Sequence, residues 1–266
     1  MRSGTDNTPI CSQLSAGGGA AIVVVDFQAL DDGPRLSQLL SEAAAGQRIY
    51  QVDPLAALSG DRLYAALPEM ADESVAIFRS CESSKLTEQP VFVVSQCSAA
   101  GLSLQIADRL IGAGKVSAIL VQPTWPDAEH ITAQFADFQR KLGLGSLPCP
   151  DLGGDPWSWS AEMERSMREG LTGLATRLGL AAPPLAFAEL LVSYRAWLAF
   201  LLACRNDLPA KAPCAALTVS VLTDEPDFVL PGTSPGECRI TLLPPAERPN
   251  AMTRNLAKLV LEQVMN

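Results

Sequence analysis

The apolar, β-branched run Val91-Phe92-Val93-Val94 stops at a cluster of small residues, Ser95-Gln96-Cys97-Ser98-Ala99-Ala100-Gly101. From there Leu102, Leu104, Ile106, Ala107, Leu110 and Ile111 recur at helical spacing. The pattern predicts a strand, a sharp turn and a helix, with the Cys97 thiol at the turn. A sulfur nucleophile suits such a place, because a tight strand-to-helix turn leaves no room for flanking side chains and a helix N-terminus lowers a thiol pKa. Cys97 is then expected to be the cysteine that alkylates fastest when any lid over the turn is open. The same position also suits a buried structural cysteine, since free Cys behaves as a small hydrophobe.

The elements that must position this turn follow from hydrophobic periodicity. The first strand is Ala21 to Val25, a continuous β-branched run of the kind buried on both faces of a parallel sheet. It leads into the loop Asp26-Phe27-Gln28-Ala29. A helix is expected over 34–45, a strand over 48–53 stopped by Pro54, and a helix over 61–85. After the central strand and helix, Val116 to Val121 forms another strand ending at Gln122-Pro123. Residues 127–208 break the rhythm, with helices near 127–142, 160–179 and 185–205. A loop rich in Pro, Gly and Trp over 148–159 joins the first two. Strands resume at Ala215 to Leu222 and Cys238 to Leu243, and a helix over about 250–265 closes the chain. Alternating strands and helices imply an α/β fold, a mostly parallel sheet flanked by helices. The whole chain, 1–266, reads as one such domain, with 127–208 as a helical lid insertion and 1–19 as a mobile N-terminal lead-in.

Composition narrows the partners. A net charge of -9 argues against nucleic acid or an anionic membrane surface. Seven cysteines without a CxxC pair, and a single histidine, His130, argue against structural zinc and for a reducing, cytoplasmic setting. The most hydrophobic segment, Ala188 to Cys204, is interrupted by Ser193, Tyr194 and Arg195 and is shorter than a bilayer span, so no transmembrane helix is expected.

In the order of its elements the chain resembles the thioesterase family of polyketide and non-ribosomal peptide synthesis, within the α/β-hydrolase fold. Ser95-Gln96-Cys97-Ser98-Ala99 sits where that family has Gly-His-Ser-x-Gly, so the nucleophile has become Cys97. Ala107-Asp108-Arg109-Leu110-Ile111-Gly112-Ala113-Gly114 is similar to the end of the family's next helix. The resemblance implies an acyl chain delivered on the phosphopantetheine arm of an acyl or peptidyl carrier protein, or a small-molecule thioester. No cofactor or metal of the chain's own is expected.

The departures concern the other two triad members. At the first place for the family's aspartate stands Gln122; at the second, Asp224 and Asp227 lie near. The family histidine belongs after the last strand, where the chain reads Leu243-Pro244-Pro245-Ala246-Glu247-Arg248. Candidate bases are therefore His130, Asp224, Asp227 and Glu247. His130 equally suits a helix surface, and Glu247 a solvated loop. Asp26 and Asp53 end their strands on the same edge of the sheet, and Asp26 also suits a turn. Backbone N–H groups of Ser98 and of the Phe27, Gln28, Ala29 loop are candidate oxyanion donors. Trp125, Trp157, Trp159 and Trp197 cluster around the helical insertion, as packing or as the lining of an acyl channel.

A thiol can attack a carrier thioester without strong activation, but hydrolysis of the resulting acyl-enzyme needs a general base for water. The sequence thus favours acyl transfer or cyclisation over hydrolysis. Two alternatives stay open: a catalytically silent homologue that binds substrate or carrier protein, and an unrelated α/β-hydrolase esterase.

Overall fold

The computed structural model describes residues 9–27, 34–44, 46–82, 89–112, 114–145, 147–207, 214, 216–234, 236–243 and 254–265. The chain divides into two compact units. One spans Pro9–Pro54, Leu67–Trp125 and Asp207–Asn266 and holds the sheet; the other combines Leu55–Ala66 with Pro126–Asn206 and is helical.

The sheet unit has seven strands: β1 (Cys11–Ser15), β2 (Ala21–Val25), β3 (Arg48–Val52), β4 (Val91–Gln96), β5 (Val116–Val121), β6 (Thr218–Thr223) and β7 (Arg239–Leu242). Their order is β1-β3-β2-β4-β5-β6-β7, with β1 antiparallel to β3 and every other pair parallel. This is the mostly parallel α/β sheet expected from the strand–helix alternation. All five residues of β2 are buried, as a strand covered on both faces requires. On one face Ile22, Val24, Val94, Ile119 and Leu222 pack with α1 (Leu36–Ala43) and α8 (Arg254–Met265) through Leu36, Leu40, Leu256 and Val260. α3 (Leu67–Glu82) and α4 (Ala100–Leu110) pack against each other, and α3 reaches the sheet where Phe78 meets Tyr50 edge-on.

Two expectations are corrected in this unit. The lead-in over 1–19 contains an ordered edge strand, β1. Only Cys11 of its five residues is buried, so no apolar alternation marks it in the sequence. The helix expected over 61–85 starts only at Leu67, because Gly60 takes a left-handed φ of +69° and Pro68 sits in the first turn. The free Leu67 N–H at that turn donates to the Asp207 carboxylate at 2.9 Å.

The helical unit holds α5 (Ala128–Lys141), α6 (Pro156–Arg177) and α7 (Leu185–Asn206), and α2 (Pro54–Ala57) leads into its 55–66 segment. α6 begins inside the stretch expected as a loop. Asp155 caps it by accepting the Ser158 N–H at 2.8 Å, and Pro156 occupies the first turn. α7 runs to 22 residues, longer than the apolar segment alone, and its length and hydropathy would allow a bilayer crossing. Half of that apolar window is buried within the protein. Arg195, midway along it, is 3% exposed. It donates to Glu164 at 3.0 Å and to the carbonyls of Leu58 and Gly60 at 2.8 Å each, tying the 55–66 segment to the helices.

Two buried acids hold the sheet unit together. Glu82, at the end of α3, pairs with Arg48 at 2.9 Å and accepts the Tyr50 hydroxyl, with both charged side chains almost fully buried. Asp26, at the end of β2, accepts the Ser37 N–H at 2.7 Å and the Gln51 side chain at 2.9 Å, so it caps α1 from the neighbouring strand.

Both acids yield measurable expectations. Glu82→Ala, which strands a buried guanidinium, lowers unfolding free energy by about 3–5 kcal/mol; a loss below about 1 kcal/mol in urea denaturation would contradict the pairing. Burial pushes the Asp26 carboxyl up to about 6 against its hydrogen bonds from Ser37 and Gln51. Because the folded state then holds the proton longer than the unfolded chain, this residue's contribution is full below pH ~4 and declines as pH rises to ~6. The decline is about 3 kcal/mol. The stability difference between the wild type and Asp26→Asn should change across that window, and a pH-independent difference would refute the assignment.

Candidate active site

The site is built where β4 meets α4. Ser95 ends the buried part of the strand and its hydroxyl shares a 2.8 Å hydrogen bond with that of Ser103, one turn into the helix. Between them the chain reverses through a short 3-10 turn, Cys97–Ala99. Cys97 takes φ +48°, in the left-handed region that side-chain-bearing residues rarely occupy. Gly101 lets α4 approach α3 closely, since an added Cβ would lie 3.3 Å from a methyl of Leu67. The small residues read from the sequence therefore serve a tight, strained reversal with a cysteine at its apex.

The thiol is half-buried, and burial pushes its pKa up to about 11, opposed by a side-chain hydrogen bond from Gln96. This corrects the expectation of a lowered pKa. Desolvation outweighs the helix terminus here.

The next strand end shapes the other side of the turn. The parallel register pairs Gln96 with Val121, which sets Gln122 beside Cys97. Gln122 also adopts a left-handed backbone, φ +43°, and its N–H donates to Leu222 O at 2.7 Å. The chain then folds back so that Thr124 N–H donates to Cys97 O at 3.2 Å, and the Thr124 and Ser98 hydroxyls lie 3.3 Å apart. Trp125 follows and stacks on Phe228 at 5.9 Å between ring centroids, from the loop after β6. Gln122 Nε2 and Trp125 Nε1 are both buried without a hydrogen-bond partner among the described residues.

The remaining candidates are distributed unevenly. Ser98 is buried at the turn, and Phe27 follows directly on Asp26 at the end of β2, the strand on the other side of β4. Gln28, Ala29 and Glu247 lie outside the described residues. Asp224 and Asp227 are both exposed, and it is Phe228 of their loop that meets the Trp125 loop. Asp26 is committed to capping α1. Asp53 pairs with Arg35 at 3.3 Å.

His130 belongs to the helical unit, where it is exposed in the first turn of α5 and its N–H is capped by Asp127 at 2.7 Å. The sheet unit thus contains no histidine. Of the tryptophans, only Trp125 belongs to the sheet unit. In the helical unit Trp159 is buried with its N–H on Pro150 O at 3.2 Å, and Trp197 donates to Gln134 at 3.3 Å. Trp157 is 47% exposed and meets Tyr64 edge-on. Among the described residues no group of three or more His, Cys, Asp or Glu side chains is placed to hold a metal ion.

Gln122 and Phe228 are the residues sequence reasoning did not bring to the site. Gln122 stood out only as a departure at the family's aspartate position, and Phe228 carried no signal at all.

No protein-family model matches the sequence, and no curated protein sequence does either. Solved structures do match over nearly the whole chain. The NocB thioesterase domain, in covalent complex with a fluorophosphonate nocardicin G analog, has a TM-score of 0.52 at 19% identity, covering 96% of this chain and 100% of that one. Holo-AB3403, a four-domain nonribosomal peptide synthetase bound to AMP and glycine, gives 0.59 at 15%, covering 96% of this chain and 20% of that one. A thermophilic esterase from Thermogutta terrifontis gives 0.50 at 12%, covering 96% and 93%. At these identities the likeness is one of fold, and the chain has the α/β fold shared by thioesterase domains and α/β hydrolases.

Proposed function

We propose that this protein is a thioesterase-like acyl-transfer enzyme of polyketide or non-ribosomal peptide chemistry, with Cys97 as the acyl acceptor. The observation that carries the reading is the left-handed Cys97 at the apex of the β4–α4 turn. The fold likeness to thioesterase domains supports the substrate class, an acyl group on a carrier-protein or small-molecule thioester.

In the first step Cys97 Sγ attacks the thioester carbonyl, forming a new C–S bond as the bond to the carrier sulfur breaks. The Cys97 proton passes to the departing thiolate, so the exchange needs no net acid or base. The Ser98 and Phe27 backbone N–H groups are the proposed donors to the developing oxyanion, each worth about 3–4 kcal/mol in such sites. In the second step a hydroxyl or amine, from an acceptor or from the acyl chain itself, attacks the Cys97 thioester carbonyl; the C–S bond breaks, the nucleophile's proton passes to the departing Cys97 thiolate, and an ester, amide or ring is released. Water is a poor second nucleophile here. The sheet unit has no histidine in its sequence, and Asp224 and Asp227 are exposed.

A second reading, a silent homologue that binds substrate or carrier protein without covalent chemistry, draws on the raised thiol pKa. Intact-protein mass spectrometry with an acyl-pantetheine thioester separates the two. The acyl-transfer reading expects one acyl mass increment that persists for many minutes and is absent in Cys97→Ala; no increment between pH 7 and 10 would leave the binding reading standing. Alkylation supplies a second check. At neutral pH iodoacetamide should label the exposed Cys81 and Cys214 ahead of Cys97. The Cys97 rate should climb about tenfold per pH unit toward pH ~11, following the thiolate fraction, and a plateau already at pH ~8 would contradict the buried, protonated thiol.

A further inference from the structure

The loop that folds over Cys97 holds two buried polar atoms, Gln122 Nε2 and Trp125 Nε1, and neither has a hydrogen-bond partner among the described residues. A buried donor without a partner costs about 1–3 kcal/mol, and two on one short loop make a ligand group the natural missing partner. Both are N–H donors, so the group that answers them is an acceptor oxygen, neutral or partly negative.

Their placement ties them to the thiol. Gln122 stands beside Cys97 across the β4–β5 register, and the Thr124 N–H to Cys97 O bond pins the intervening loop to the turn. The left-handed backbone at Gln122 is itself an unfavourable conformation, held by the 2.7 Å bond from its N–H to Leu222 O. Trp125 is fixed in turn by stacking on Phe228. The backbone that carries Gln122 and the ring that carries the Trp125 donor are therefore both fixed.

We infer that Gln122, assisted by Trp125, is a positioning residue that hydrogen-bonds an acceptor oxygen of the acyl chain close to the carbonyl bound at Cys97. This rests on the acyl-transfer reading and sharpens it. The site selects acyl groups bearing a carbonyl near the thioester over plain alkanoyl groups. A site built to hydrogen-bond a substrate oxygen disfavours the analogue that lacks it, because its own donors then stay unpaired.

The test uses two pantetheine analogues of equal length with an amide in place of the thioester, one hexanoyl and one 3-oxohexanoyl. Binding of each is measured by titration calorimetry, so that no acylation is required. The full-length wild type and Cys97→Ala should both bind the oxo analogue about tenfold more tightly, the effect of one well-made buried hydrogen bond. Gln122→Leu and the nearly isosteric Gln122→Glu should bring that ratio close to one, and Trp125→Phe, which removes only the N–H, should lower it in part. A ratio near one in the wild type, a ratio unchanged in both Gln122 variants, or binding of neither analogue would overturn the inference. Should Gln122→Leu fail to fold, Gln122→Glu carries the same comparison. A wild type that binds with the expected ratio yet never acquires an acyl mass on Cys97 would instead overturn the covalent step and leave the role of Gln122 intact.

Discussion

A side chain held in a left-handed backbone is the constraint on which the site depends. Cys97 can occupy φ +48° only because both flanks are fixed: β4 by its ladders to β2 and β5, α4 by its close approach to α3 at Gly101. Such a conformation costs of order 1 kcal/mol or more and persists only where the surroundings over-determine it. The shared Ser95–Ser103 hydrogen bond closes the reversal from within, and the Ser103 hydroxyl also reaches the Ala100 carbonyl at 2.9 Å. The sheet, in this sense, exists to hold one residue at an angle it would not choose.

That same rigidity decides the electrostatics. Among the described residues, the groups placed around Cys97 are neutral: carboxamides at Gln96 and Gln122, hydroxyls at Ser98 and Thr124, and an indole at Trp125. Of the described acids on the same edge, Asp224 and Asp227 are exposed, and Asp26 and Asp53 are committed elsewhere, to the α1 cap and to Arg35. Desolvation by burial sets the direction of the Cys97 shift, and the Gln96 side chain opposes it. A neutral edge matches an exchange reaction between two thioesters better than one in which water must be deprotonated.

Much of this was legible in the sequence, and the reasons for the rest are specific. β2, β4 and β5 declared themselves because fully buried parallel strands read as unbroken β-branched runs. β1 was hidden because a strand paired on one side, with one buried residue in five, has no apolar pattern to show. The start of α6 was masked by its Trp and Pro content, although Asp155 followed by Pro156 is a start signal. At the site, the small residues around Cys97 revealed the turn, but the thiol pKa did not follow from it. Helix termini are visible in a sequence and the depth of burial is not. Gln122 was beyond reach for a different reason. Its left-handed backbone is imposed by the bond to Leu222, a residue a hundred positions later, and not by any local preference of glutamine.

On the proposed acyl-transfer reading, a thiol at position 97 and a sheet unit whose sequence holds no histidine belong together in physical terms. A serine hydroxyl without a base is inert, so a serine at position 97 would have made the missing histidine fatal to any acyl transfer. A thiol, by contrast, reaches the thiolate unaided in a small fraction of molecules even at neutral pH, and burial at Cys97 reduces that fraction without abolishing it. The product of its attack is another thioester, close in energy to the one consumed. The acyl group is thus neither committed to water nor stabilised against release; it is held at constant energy until a nucleophile better than water arrives. Adding a base to such a site would open the hydrolytic route first, because water outnumbers every other nucleophile. A site with no base placed beside the thiol is therefore what the proposed acyl transfer or ring closure requires.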